Sequence, residues 1–106
     1  MINKQNDTYQ YLKPESSSLS KFDFDIPENN SLDIIVDLAH LKAIISPLND
    51  LLFELNEKQI SKGCSLVIVA ADATAFSNRD ALVIVPTLTE AEDYIQMEQI
   101  QRDLGF

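Results

Sequence analysis

Three short runs constrain this chain more than any other feature: "LDIIVDL" (32–38), "CSLVIVAA" (64–71) and "ALVIVP" (81–86). Each is β-branched and almost continuously apolar. An extended segment of that kind presents apolar side chains to both sides, so it belongs inside a sheet covered on both faces. Between the first two runs lies a well-marked helix. Ser46 stands at its cap, Pro47 at the first helical position, and Leu48, Leu51, Leu52 and Leu55 follow at offsets of 0, 3, 4 and 7. Lys58 and Lys62 suit its negative end, and Gly63 supplies a stop.

A second helix is predicted from about Leu88 towards Asp103. Pro86 blocks continuation of the preceding strand, Thr87 and Glu90 have capping-box spacing, and Glu90, Glu92 and Asp93 favour the positive end. Strand, helix, strand, connector, strand, helix is the order of an α/β sandwich. We expect a central, mostly parallel sheet of about four strands with helices packed on it, the strands at 32–38 and 64–71 lying parallel. The connector "DATAFSNRD" is short for a crossover. One helical turn around Ala73 to Phe76 would serve, with a hairpin as the alternative. In residues 1–31 only "YQYLK" suggests a strand, expected at the sheet edge between Thr8 and Lys13, and "PESSSLSKFDFDIPENNS" reads as turns around a few apolar anchors.

At 106 residues and 45% hydrophobic content the chain matches one small domain with a modest core. Eight basic residues against 17 acidic ones give a net charge of −9, which repels phosphate backbones and anionic lipid, so neither nucleic acid nor a membrane is expected as a direct partner. No apolar run approaches the roughly 20 residues of a membrane span, and the polar start "MINKQNDTYQ" lacks the apolar stretch of a signal peptide. A cytoplasmic location is expected. The lone Cys64 cannot form an internal disulfide and reads as a buried, unreactive thiol.

The candidates for chemistry are few. Asp37 ends a strand where ligands of α/β proteins often bind, and its position equally suits a carboxylate that receives backbone donors from the following loop. His40 could polarise a substrate, but a lone loop histidine is more often surface decoration. Ser46 is first a helix cap and second a phosphorylation switch, since a dianion sits well on a helix N-terminus. Both glycines, Gly63 and Gly105, fall at helix ends, leaving no phosphate cradle. Nucleophile, base and oxyanion donors cannot all be named, so no enzymatic activity, metal or cofactor is expected.

The C-terminal helix carries two apolar sets. Leu88, Ala91 and Ile95 share one face and should pack on the sheet, whereas Met97, Ile100 and Leu104 follow at offsets of 0, 3 and 7, with Phe106 beyond Gly105. Residues 87–106 hold five acids and one base, a local charge of −4. Met97, Ile100, Leu104 and Phe106, rimmed by Glu98 and Asp103, are therefore expected to dock another protein or a second copy, unless they cover the bottom of the same core. On this view, deleting residues 97–106 abolishes association and leaves a folded domain.

A strand ending in Asp-Leu, a loop, a helix with paired leucines, a Lys-Gly stop, an "LVIV" strand and a Pro-Thr start to a Glu-Ala helix, over about residues 32–96, resemble the STAS domain family of sulfate transporters and anti-sigma-factor antagonists. That resemblance implies a non-enzymatic regulatory or adaptor role. The family's strand-to-helix loop normally reads Asp-Ser-Ser-Gly, with one serine phosphorylated by a partner kinase. Here "IISPL" places Ile45 at the aspartate, Ser46 as the remaining serine and Pro47 at the second serine or glycine. The segment "VPTLTEAEDYIQMEQIQRDLGF" further resembles that of short bacterial proteins encoded beside ribonuclease Z, which implies that nuclease as a partner. The nuclease chemistry itself needs several His and Asp around two metal ions, and His40 is the only histidine. The rival reading is a small-molecule sensor or minor enzyme with a pocket near Asp37, His40 and Ser46.

Overall fold

The computed structural model describes residues 2–5, 8–14, 32–41, 46–72, 76 and 81–105. Among them the chain forms β1 (Ile2–Gln5), β2 (Tyr9–Lys13), β3 (Asp33–Asp37), α1 (Ser46–Ser61), β4 (Leu66–Val69), β5 (Val83–Val85) and α2 (Leu88–Asp103). The strands make one sheet in chain order, β1-β2-β3-β4-β5. β1 runs antiparallel to β2, and every later pairing is parallel.

The expected parallel pair is present, with Ile34 opposite Leu66 and Val36 opposite Ile68. β4 and β5 are also parallel, which excludes the hairpin between them. The helical turn expected at 73–76 lies outside the described residues except for Phe76, which is buried. Two expectations need correction. The sheet has five strands rather than about four, because the polar segment "INKQ" pairs with β2. For the same reason β2 is an inner strand and not an edge. Cross-strand hydrogen bonding needs no apolar side chain, and so leaves no mark in the hydropathy of an edge strand.

Strand alternation divides the core in two. Leu12, Ile34, Val36, Leu66 and Ile68 point to one face and pack with Leu48, Leu52 and Leu55 of α1. Ile35, Val67 and Val69 point to the other and pack with Ala91 and Ile95 of α2. β3 and β4 thus bury both faces, as their unbroken apolar runs require.

α2 begins and α1 ends as their sequence signals indicate. Thr87 is extended, and its side chain accepts from the Glu90 N–H at 3.2 Å. At the end of α1, Gly63 N–H donates to Ile60 and Cys64 N–H to Gln59, at 3.0 and 2.8 Å. This is the pair of bonds of a Schellman stop, and it needs Gly63 at φ +75°. α1 itself begins at Ser46, one residue ahead of the expected Pro47, and the Ser46 side chain lies outside the described set. A Cβ at Gly63 would meet no atom within 4 Å, so only backbone strain opposes a substitution. Gly63→Ala should therefore cost about 1 kcal/mol, read as a lower urea midpoint at unchanged m-value.

Candidate functional site

At the C-terminal ends of the parallel strands, Asp37 is already engaged. Tyr11, on the neighbouring strand, donates its hydroxyl to Asp37 Oδ2 at 2.5 Å, and the Ala39 N–H donates to Oδ1 at 3.1 Å. Burial raises the Tyr11 pKa, and the adjacent carboxylate raises it further, so the phenol remains a donor. The second of the two readings of Asp37, a carboxylate that receives loop donors, matches this geometry. His40 is exposed, and its Nε2 contacts the Pro14 carbonyl. The side chain of Ser46 is outside the described residues, and of the other two candidates Asp37 bonds to Tyr11 and Ala39 while His40 contacts Pro14.

The opposite end of the sheet holds a network that sequence reasoning missed. Asp33 opens β3 with a side chain only 1% exposed. Its Oδ1 accepts from the Ser65 N–H at 2.7 Å, while Oδ2 accepts from Arg102 at 2.7 Å and Gln99 at 2.9 Å. Gln99 also donates to the Thr8 carbonyl and Arg102 to that of Gly63. From the other face, the buried Gln59 donates to the carbonyls of Leu32 and Ser65, both at 3.0 Å. The available signal was position: Gln59 continues the row of Leu48, Leu52 and Leu55, and Asp33 stands between the apolar Leu32 and Ile34. Cys64, next to this network, is buried, and burial with the Asp33 charge raises its thiol pKa, which fits an unreactive thiol.

The outer side of α2 is unlike its inner side. Met97, Ile100 and Leu104 are 61%, 54% and 66% exposed. The helical period sets them roughly opposite Ile95, and Glu90 and Asp93 continue the same row towards the N-terminus. Three expectations for α2 change. Leu88 is 36% exposed instead of packed on the sheet with Ala91 and Ile95. Glu98 is half-buried and accepts a hydrogen bond from Tyr94, so it turns away from the apolar row and does not rim it. The segment is also not detachable, since Gln99 and Arg102 within it satisfy the buried Asp33. Asp103 is exposed, and Phe106 lies outside the described residues.

A groove of about 470 Å³ runs between α2 and the β1–β2 part of the sheet, lined by Lys4, Gln5, Tyr9, Tyr11 and Leu88. Among the described residues no group of three or more His, Cys, Asp or Glu is placed to hold a metal ion. In the same residues no helix is long and apolar enough to cross a membrane.

No family model matches the chain, and no curated protein is similar to it. The geometry alone must then indicate what the molecule does, and it gives two tests of its own. Arg102→Met removes one charged partner from a buried carboxylate that keeps Gln99 and Ser65. Because Arg102 is itself partly exposed, the loss should be about 2 kcal/mol in chemical unfolding. The second test is alkaline. Burial and the Glu98 hydrogen bond raise the Tyr94 pKa from 10.0 to about 12. The unfolded chain therefore loses this proton first. The stabilisation is whole below pH 10 and lost as pH rises to about 12, and Tyr94→Phe should flatten that decline.

Proposed function

We propose that this chain is a non-enzymatic regulatory or adaptor domain, STAS-like in kind, that works through protein contacts made by the outer face of α2. The observation that carries the reading is the exposed row of Met97, Ile100 and Leu104 on a helix whose other side is held to the sheet by Ala91, Ile95 and the Asp33 network. Three large apolar side chains on one rigid face approach the few hundred Å² at which a patch marks an interaction site. The acids along the helix would orient a partner and discourage wrong ones. A second copy of the chain and ribonuclease Z, the latter suggested by resemblance, are the partners to try, in the cytoplasm.

The rival sensor reading draws its support from the groove beside Tyr9 and Tyr11, and the Asp37 and His40 residues first expected to line such a pocket do not line it. A metabolite that raises the melting temperature and loses that effect in Tyr9→Ala would favour the rival.

For the leading reading the test is a point substitution rather than a truncation. Ile100→Glu keeps Gln99, Arg102 and the inner face intact. It should weaken association with the second copy or with ribonuclease Z at least tenfold, measured by sedimentation, while the far-ultraviolet circular dichroism is unchanged. Association unaffected by the substitution would overturn the assignment of this face.

A further inference from the structure

Five strands at about 4.8 Å spacing form a sheet roughly twice as wide as one helix of about 10 Å. On the face opposite α1, the described residues supply only α2. It packs over Ile35, Val67 and Val69, with Val83 and Val85 at its margin. The β1–β2 half of that face keeps Tyr9 and Tyr11 half-buried beside the open groove, with Lys4 exposed. Strand alternation puts Lys13 on this same side, and the pairing of Lys4 with Tyr11 brings Lys4 there too. Among the described residues no helix covers this half-face, on which Lys13 stands at the C-terminal end of β2, Lys4 beside Tyr11 at its middle and Tyr9 at its start.

The outer row of α2 has the complementary order. Glu90, Asp93, Met97, Ile100 and Leu104 fall at offsets of 0, 3, 7, 10 and 14, acidic first and apolar after. α2 begins beside the C-terminal ends of the parallel strands and reaches the start of β3 at Arg102, so it runs against β2. Its acids thus stand at the level of Lys13 and its apolar residues at the level of Tyr9. From this match, and resting on the reading of α2 as a docking helix, we infer that the chain forms a two-fold homodimer. Each copy lays the outer face of α2 on the uncovered β1–β2 half of the other. A two-fold axis parallel to the strands is the operator that does this, because it moves each helix across to the β1–β2 half of the other sheet without reversing its direction. Two helices then lie side by side between two sheets. Met97, Ile100 and Leu104 meet Tyr9 and Tyr11, and Glu90 and Asp93 meet Lys4 and Lys13. An unrelated partner would need no such match within one chain.

The experiment is analytical ultracentrifugation of the full chain and its variants. Wild type should sediment with twice the 11.9 kDa chain mass. Ile100→Glu should raise the dimer Kd at least tenfold. Lys4→Glu and Asp93→Lys should each do the same alone, and the two together in one chain should restore the dimer. Lys4 is exposed on an edge strand and Asp93 is exposed on the helix, so neither change touches the core, and unchanged circular dichroism would verify the fold. A wild type that stays monomeric at every concentration, while Ile100→Glu still loses ribonuclease Z, would overturn the dimer and leave the docking face standing. A dimer indifferent to Ile100→Glu would overturn both. Failure of the paired charge swap to rescue would overturn this packing in particular.

Discussion

The carboxylate of Asp33 is the point on which the lower half of this molecule turns. It lies almost wholly out of water, and a charge so placed persists only when each oxygen is satisfied. One oxygen receives the Ser65 N–H, so the chain leaving α1 must arrive beside β3 in the register that β4 then continues. The other receives Gln99 and Arg102, so α2 must reach the first residue of β3 at its last turn and cannot slide along the sheet. Gln59 holds the end of α1 to the same strand ends from the opposite face. A hydrophobic core sets that helices cover a sheet; these directional bonds set where along the sheet they sit.

That division explains how much could be foreseen. Apolar runs, leucine spacing, Thr87 and Gly63 carry local information, and the strands β3, β4 and β5, both helices and the parallel β3–β4 pair follow from it. β1 was missed because "INKQ" is joined to β2 by backbone pairing, and its described side chains, Lys4 and Gln5, are exposed. The Asp33 network was missed because its members are 66 and 69 residues apart, and no local rule joins them. The internal hints were two polar residues, Gln59 and Asp33, at positions whose neighbours are apolar. At the other end of the sheet the sequence raised Asp37 and His40 as chemical candidates. The fold turns the first into an acceptor for Tyr11 and Ala39 and sets the second against Pro14.

The sheet's outer edges are managed differently. β5 has only three residues, and Pro86 follows it directly. Val85 turns its carbonyl inward to Ala70, so parallel-ladder geometry leaves Ile84 as the one residue of this strand presenting both backbone groups outward. A short edge closed by proline is a poor template for strand addition. β1 is polar and carries Lys4, which serves the same end. Association through edges is thereby disfavoured on both sides, and what is left for a partner is a face.

A helix on the outside of a small α/β domain ordinarily keeps its large apolar residues on one side. α2 does not: Ala91 and Ile95 are fully buried inward while Met97, Ile100 and Leu104 are exposed outward. Were the outward row a relic of loose packing, smaller or charged residues could replace it at no cost to the fold, because Gln99 and Arg102 already secure that end of the helix. The row instead occupies heptad positions on the part of α2 held most firmly by directional bonds, and rigidity of that kind lowers the entropic cost of association. Among the described residues only the inner side of α2 is covered, which is the arrangement the proposed docking role requires.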